Sequence, residues 1–284
     1  MEFVFFNLAF AAYTIGMILY VVYTLVRKEV LPQTAKGVLL TAVVLHAISL
    51  AIRTYYAHQL PQHQWYVPWS NWFESFSFFT FVITIVFLAI QAYKPLPILG
   101  VFISPLAWGS MIGAVISPFG RDIPQLQPAL QSYWMAIHVP VMFVSYSLFA
   151  NAFGIGLAYL LQERFLKAKK PVMAIFRLPA LDELDNLIYK IIAFAFPVLT
   201  LGVLLGAAWA YEAWGRYWGW DPKETWAFIT WVVYAIYLHL RLVSGWRGKK
   251  SAYLSLAGFG VVLFTYIGVN FISDLHGFLS GGGK

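Results

Sequence analysis

The sequence contains no cysteine, so the chain forms no disulfide bond, no thiolate metal site and no thiol relay of its own. Any thiol chemistry in which it takes part must be supplied by a partner. Charge is scarce as well, since charged residues make up 11% of the 284 residues and hydrophobic residues 61%. This balance excludes an ordinary soluble domain and indicates an integral membrane protein.

Motifs of soluble enzymes are missing too. The sequence has no GxGxxG segment, no P-loop and no convincing Ser/His/Asp arrangement. No stretch between the apolar runs is long enough for a soluble domain of useful size. The chemistry must therefore lie at the membrane or inside it.

Eight apolar stretches are long enough to cross a bilayer as helices. The first lacks a basic n-region and a small-residue cleavage site, so we interpret it as a retained helix and not as a signal peptide. The prediction is an all-α polytopic membrane bundle of about eight helices, with residues 1–284 forming a single domain. The stretches lie at about 3–26, 37–57, 72–93, 97–116, 134–161, 187–209, 223–243 and 251–272.

Basic residues are distributed unevenly between the two sides of this bundle. The connections after the first, third, fifth and seventh stretches hold twelve Lys and Arg residues, and the other side, with both termini, holds four. Because Lys and Arg stay on the cytoplasmic side, we expect both termini to be extracytoplasmic. The same topology accounts for the isoelectric point near 9.4 without a nucleic-acid partner.

Tryptophan is concentrated in one short segment. Residues 214–226 read WGRYWGWDPKETW and lie between two long apolar runs. An interfacial aromatic belt is the simpler interpretation, but belts place only one or two aromatics at each helix end, so this density favours a platform for a flat, conjugated ligand. We interpret residues 210–222 as an external tryptophan-rich loop. The candidate platform residues are Trp209, Trp214, Trp218, Trp220 and Trp226.

The end of this segment predicts a helix start. Asp221 fits an N-cap, Pro222 the first helical position and Glu224 the third position of a capping box. Capping alone accounts for both acids. A catalytic role of Asp221 is the competing hypothesis.

Six histidines are the remaining candidates for chemistry. His58 and His63 lie in a polar connection, where we expect solvated side chains. His138 lies near the start of the fifth stretch and His276 follows the eighth, which places both on the side of the tryptophans. Two imidazoles flanking an aromatic platform suit axial ligation of a haem, whereas polar anchoring at the interface is the alternative.

His46 and His239 lie inside predicted spans, where an ionisable side chain is costly and marks a function or an internal partner. They either share one ligand or form separate contacts within the bundle. Arg53, seven residues beyond His46, lies on the same helix face and suits a carboxylate such as a haem propionate, or extends to the interface. For Arg241 we expect a side chain that extends to the membrane interface.

The segment WGRYWGWDPKETW, followed by WVVYAIYLHLR, resembles the signature of the haem-handling membrane proteins of cytochrome c maturation. More narrowly, it resembles the CcsA/ResC-type subunit of the system II cytochrome c synthase. The segments LHAISLAIR, SNWFESF, IHVPVMFVSYSLF and VNFISDLHGF extend the resemblance over most of the chain. One departure follows His276, where Gly277 and Phe278 replace an expected Ser-Tyr pair.

The resemblance implies that His138 and His276 bind the iron of haem b on the external face, with the tryptophans holding the ring. It implies an internal site on the entry route of haem, with His239 and His46 as the matching ligands and Arg53 nearby. The implied haem-lyase activity joins haem vinyl groups to CXXCH thiols of an apocytochrome c. The catalytic candidates are His138, His276 and Asp221.

The implied partners are a CcsB/ResB-type membrane subunit with an external domain, the apocytochrome c, and thiol reductants that keep CXXCH reduced. The implied location is the bacterial cytoplasmic membrane, or the thylakoid membrane in a plastid. A haem exporter without attachment activity is one alternative. A b-type membrane cytochrome is another, but such proteins usually place two ligands on one helix, and no predicted span carries two histidines.

Overall fold

The computed structural model describes residues 1–26, 28–61, 63–117, 121–123, 125–126, 130–169 and 178–272, which form long helices and no strand. Eight helical segments of this described part are long and apolar enough to cross a membrane. The predicted all-α membrane bundle is therefore confirmed. The helices are α1 Glu2–Val26, α2 Val30–His58, α3 Trp72–Tyr93, α4 Gly100–Ile116, α5 Trp134–Lys167, α6 Leu181–Trp214, α7 Pro222–Leu242 and α8 Lys249–Tyr266, with short 3-10 helices at Pro97–Leu99 and Gly268–Phe271.

Helix α6 extends beyond the predicted span at both ends. It begins with Asp182 and Glu183 in its first turn, where acidic groups favour the helix dipole. It ends at Trp214, because Gly215 adopts a left-handed conformation with φ of 71° and donates its N–H to the carbonyl of Tyr211. The predicted loop 210–222 is therefore too long, and the connection between α6 and α7 consists of residues 215–221.

The centre of the bundle is formed by α3 and α5, which are the most buried of the eight helices. Helix α5 packs along α6, α1 along α2, and α3 along α4, while α8 packs against α5 and α7. Helices α6 and α7 have a low share of buried residues, 28% and 22% of their most apolar stretches. Residues on these two helices are therefore partly accessible to lipid, a ligand or a partner.

Contacts between helix ends define the two ends of the bundle. At one end, Trp69 beside α3 donates its indole N–H to the carbonyl of Met135 in α5, at 3.0 Å. Trp134 at the start of α5 donates to Glu212 at the end of α6, at 2.6 Å. This end also carries the connection 215–221, and we call it the motif end.

The opposite end is joined by a buried ion pair that the sequence analysis missed. Arg241 of α7 donates to Asp185 of α6 at 2.6 Å, and the other oxygen of Asp185 accepts the N–H of Gly248 at 2.9 Å. The guanidinium also lies 5.1 Å from the ring centre of Tyr189. The expected extension of Arg241 to the interface is wrong, because a carboxylate from another helix binds it inside the bundle.

Candidate functional site

His138 of α5 lies against α6 at the motif end. Its Nδ1 donates to the carbonyl oxygen of Gly202 at 2.9 Å, and its ring centre is 5.7 Å from that of Trp209. A Cβ added to Gly206 would lie 2.8 Å from the His138 ring, so the ring occupies the space that this glycine leaves. Gly202, Gly206 and Trp209 recur at helical spacing and form one face of α6.

The hydrogen bond to Gly202 determines how the imidazole can act. Because Nδ1 carries the proton, the neutral ring has its lone pair on Nε2, which is the arrangement of a metal-ligating histidine oriented by a backbone carbonyl. The side chain is half-buried. The structure therefore brings two predicted site residues, His138 and Trp209, together.

Glu212 is a site neighbour that the sequence analysis missed. Its carboxylate accepts the indole N–H of Trp134 at 2.6 Å and the hydroxyl of Ser132 at 3.3 Å. Loss of hydration and the charge of this carboxylate raise the pKa of Tyr133. The signal in the sequence that could have identified it is an acidic residue at the end of an otherwise apolar helix. The bond fixes the start of α5, one turn before His138, against the end of α6.

The connection 215–221 is organised by the carboxylate of Glu224. One oxygen accepts the N–H of Gly219 at 2.6 Å and that of Asp221 at 3.4 Å, while Asp221 accepts the N–H of Glu224 at 2.7 Å. The predicted capping box is confirmed, with Pro222 at the start of α7. Asp221 is buried and caps a helix, so the geometry supports a structural role for it.

Trp220 has a backbone conformation that is rare for a residue with a side chain. Its φ is 58°, in the left-handed region, where a non-glycine residue costs roughly 1 kcal/mol. The flanking N–H groups of Gly219 and Asp221 are bound by Glu224, and Thr225 donates its hydroxyl to the Trp220 carbonyl at 3.2 Å. The indole is 66% exposed. The turn therefore presents this ring outward.

The other platform candidates have different surroundings. Trp218 is half-buried and meets the exposed Trp220 edge to face, with ring centres 5.6 Å apart, so these two form an aromatic pair. Trp214 is the last residue of α6. Trp226 lies within α7 and packs on Phe264 of α8, with ring centres 4.2 Å apart, so it belongs to a helix contact.

The two histidines inside the spans are not brought together. His46 is fully buried, with Nδ1 3.1 Å from the hydroxyl of Tyr13 and Nε2 2.7 Å from that of Ser77. His239 is exposed on α7. Since His46 is bonded at both ring nitrogens within α1 to α3, the geometry supports the alternative of two separate histidines.

His58 and His63 also differ from each other. His58 contacts the carbonyl of Tyr66 at 3.1 Å. His63 is buried and contacts the carbonyl of Pro61 at 2.7 Å, so the expectation of a solvated side chain is wrong for it. The local turn folds its ring onto Tyr66, with ring centres 5.8 Å apart.

Arg53 binds carboxylates of the protein itself and does not extend to the surface. It is 3% exposed and donates to Glu74 and to Glu2, each at 2.7 Å. It also donates to the carbonyls of Arg121 at 2.8 Å and of Asp122 at 3.0 Å. The predicted role toward a ligand carboxylate is therefore corrected to a structural one, because α1 and α3 place two acids at the level of the guanidinium.

Tyr66 completes this buried network by donating its hydroxyl to Glu74. Burial, together with the negative charge of Glu74, raises the pKa of the Tyr66 hydroxyl. The network joins the start of α1, the end of α2 and the start of α3. Because Tyr66 precedes α3 in the chain, the network also holds this part of the connection between α2 and α3 at the motif end.

His276 lies outside the described residues, so its role stays a prediction. The last described element before it is the 3-10 helix Gly268–Phe271. Lys223 at the start of α7 donates to Asn270 of that element at 3.2 Å. This hydrogen bond joins the start of α7, where the tryptophan-rich segment ends, to the segment that precedes His276.

Comparisons with known proteins identify the family of the chain. Residues 69–276 match the family described as Cytochrome C assembly protein. A "Cytochrome c biogenesis protein CcsA" of Guillardia theta is 38% identical over 232 residues, covering 75% of this chain and 77% of that protein. The protein of the same name from Gloeothece citriformis is 35% identical over 260 residues, covering 75% and 79%. That of Chlamydomonas reinhardtii is 40% identical over 217 residues, covering 74% and 60%.

The fold is also similar to that of a solved structure, "Cytochrome c Heme Lyase CcmF", with a TM-score of 0.67 at 18% sequence identity. The match covers 99% of this chain and 51% of CcmF, so the chain spans about half the length of that protein. At this identity the likeness concerns the fold alone. By its profile match and its relatives, the chain belongs to the cytochrome c assembly protein family, as a CcsA-type cytochrome c biogenesis protein.

Proposed function

We propose that this chain binds haem b at the motif end and presents it for thioether attachment to CXXCH of an apocytochrome c, as one subunit of a haem lyase. His138 carries the proposal, because its Nδ1 bond to Gly202 places the ligating lone pair on Nε2 beside the ring of Trp209. Haem is a substrate in this scheme and not a resident cofactor. Membership of a cytochrome c biogenesis family supports it.

The residues at the motif end suit a flat ring with a ligatable centre. His138 would bind the iron from one side, and His276 would supply the second axial ligand. The aromatic pair Trp218 and Trp220 would contact the ring by stacking or edge contact, and Trp209 would contact it beside His138. Trp214 stays a predicted contact of the ring, whereas Trp226 packs on Phe264 of α8 and would have a structural role.

The attachment reaction makes modest demands on the protein. A thiol S–H adds across a vinyl C=C bond, so that sulfur bonds to one carbon, hydrogen goes to the other, and no oxidant is consumed. Because the chain has no cysteine, both thiols belong to CXXCH and are kept reduced by separate thiol reductants. The chain itself would hold the two reactants in position and control the polarity around them.

The proposed partner is a CcsB/ResB-type membrane subunit with an external domain. The excess of Lys and Arg in the connections at the opposite end supports a motif end that faces the periplasm or, in a plastid, the thylakoid lumen. The membrane would then be the bacterial cytoplasmic membrane or the thylakoid membrane. Haem would enter from the cytoplasmic side.

For a site on this entry route, the geometry favours His239 over His46. His239 is exposed on α7, where an ionisable group facing lipid is costly and calls for a ligand or a partner. His46 already bonds Tyr13 and Ser77. We therefore propose His239 as a haem ligand inside the membrane and His46 as a structural residue.

The test is covalent attachment in cells that express this chain, the partner subunit and a CXXCH apocytochrome. We expect covalent haem with the wild type, a loss of most of it with His138→Ala, and wild-type levels with His58→Ala as the matched control. A pyridine haemochrome spectrum of the purified cytochrome measures the product. Wild-type yield with His138→Ala would contradict the proposal, and stably bound haem without product would favour an exporter.

A further inference from the structure

We propose that Arg216 and Trp218 form a carboxylate-binding subsite in the connection 215–221, and that its ligand is a propionate of the bound haem. The inference rests on the proposed function and adds the residues that recognise the acidic edge of the substrate. Arg53, the sequence-based candidate for this role, is buried and bound to Glu2 and Glu74. The subsite must therefore come from another cation at the motif end.

Trp218 offers a hydrogen-bond donor that needs an acceptor. Its Nε1 is buried and has no hydrogen-bond partner within the described part of the chain. Other indoles are satisfied, since Trp69 donates to Met135, Trp134 to Glu212 and Trp231 to Thr200. A buried N–H without an acceptor is unfavourable and in native proteins calls for an explanation, which a bound ligand provides.

Arg216 supplies the charge beside this donor. Its guanidinium lies over Gly219, since a Cβ added there would be 1.1 Å from Nη1, so a residue larger than glycine would displace it. Nη1 is 3.5 Å from Glu224, whose other oxygen binds the backbone N–H groups of Gly219 and Asp221. The side chain as a whole is 37% exposed, whereas Nη1 is buried and has no hydrogen-bond partner within the described residues.

A guanidinium that already contacts one carboxylate can bind a second. Arg53 does so in this same chain, with Glu2 and Glu74 at 2.7 Å each. Arg216 has one carboxylate at 3.5 Å, and its five N–H groups suit forked contacts to oxygen anions. In this arrangement Glu224 positions Arg216, and the guanidinium binds both Glu224 and the carboxylate of the ligand.

The ligand class follows from the combination of an aromatic pair and a carboxylate subsite. Trp218 and Trp220 can contact the face or edge of a planar ring, and Arg216 can bind a carboxylate attached to the edge of that ring. Haem carries its two propionates on the side of the ring away from its vinyl groups. A propionate held at Arg216 would turn the vinyl side away from the connection 215–221, toward an incoming thiol.

The experiment compares haem with haem dimethyl ester, which lacks the two carboxylates. Spectral titration of the complex with the partner subunit gives an affinity ratio of haem to ester for each variant. We expect a ratio of roughly ten for the wild type, near one for Arg216→Gln, and an intermediate value for Trp218→Phe. Arg216→Lys should keep part of the preference. Arg247→Gln and Trp65→Phe, which change exposed residues of the same types, should keep all of it.

Because each variant serves as its own reference, lowered stability affects both ligands and leaves the ratio readable. If Arg216→Gln does not fold, the affinity ratio of haem to ester is compared between the wild type and Arg216→Lys. A lower ratio for Arg216→Lys than for the wild type then supports the subsite. A wild-type ratio of one, or a ratio unchanged in both Arg216→Gln and Trp218→Phe, would overturn the subsite and leave the proposed function intact. A wild type that binds neither compound would instead contradict the proposed function.

Discussion

The Nδ1 atom of His138 donates to the carbonyl of Gly202 across the contact of α5 with α6, at 2.9 Å. One helical turn further along α6, Gly206 leaves the space in which the imidazole lies. A backbone acceptor and a missing side chain on one helix therefore orient a histidine on another. This relationship makes the orientation of His138 sensitive to small changes in α6.

Gly206→Ala should displace His138 without unfolding the bundle. The added Cβ would lie 2.8 Å from the ring, and a side-chain end can move more easily than backbone. We expect haem affinity to fall roughly tenfold, equivalent to about 1.4 kcal/mol, in spectral titrations. Gly109→Ala is the control, since its Cβ would meet no atom within 4 Å, and it should bind haem normally. Equal affinities for the two variants would refute this account of Gly206.

Trp220→Gly should separate stability from binding. Glycine adopts the left-handed conformation freely, so the variant should be as stable as the wild type or more stable by about 1 kcal/mol. Loss of the exposed indole should weaken haem binding. Trp220→Ala keeps the strain, so it should lower haem affinity without the gain in stability. Thermal unfolding in detergent, followed by circular dichroism, and haem titration measure the two effects. Unchanged haem affinity in both variants would remove Trp220 from the site.

Glu224→Ala should loosen the connection 215–221. The change leaves the N–H groups of Gly219 and Asp221 without their acceptor and releases Arg216, at a cost of about 1–2 kcal/mol. Faster proteolytic cleavage in this connection and a lower midpoint of unfolding would show it. Lys167→Ala removes an exposed ion pair with Glu163 and should cost no more than about 0.5 kcal/mol. Equal effects of the two changes would argue against the organising role of Glu224.

Tyr66 should make the stability of the motif end depend on alkaline pH. Its folded pKa is raised by burial and by Glu74, so the folded state keeps a proton that the unfolded state loses above about pH 10. The stability that the hydroxyl contributes is therefore present below pH 10 and is lost as the pH rises further. Unfolding midpoints between pH 8 and 11.5 should fall more steeply for the wild type than for Tyr66→Phe. Parallel pH profiles would contradict this.

Arg53→Ala should damage the fold and not the ligand specificity. Removing the guanidinium leaves Glu2 and Glu74 as buried acids without their cation, which costs about 3–5 kcal/mol. We expect a poor yield of folded protein, while any folded fraction keeps the wild-type preference for haem over its dimethyl ester. A stable Arg53→Ala protein that has lost this preference would restore Arg53 as a ligand residue.

The features that were predictable from the sequence are those set by local chemistry. Long apolar stretches indicated the helices, and Asp221, Pro222 and Glu224 indicated the start of α7, because both signals lie within a few residues. The end of α6 was placed too early, since Tyr211 and Glu212 interrupt the apolar pattern although the helix continues to Trp214.

The features that were missed depend on pairing between distant segments. In the sequence Arg53 has the features of a ligand residue, and only the fold brings Glu2 and Glu74, from two other helices, beside it. Arg241 and Asp185 are 56 residues apart, so nothing local indicated their ion pair. The orientation of His138 likewise depends on Gly202 and Gly206, which in the sequence are two ordinary glycines of an apolar run.

The central claim is that His138 binds the iron of haem at the motif end. The most direct test is the visible spectrum of the purified complex with its partner subunit, oxidised and reduced, for the wild type and His138→Ala with and without imidazole. We predict a six-coordinate haem spectrum for the wild type, its loss in His138→Ala and its return with imidazole, while His46→Ala keeps the spectrum. An unchanged spectrum in His138→Ala, or a wild type that takes up no haem, would contradict the account.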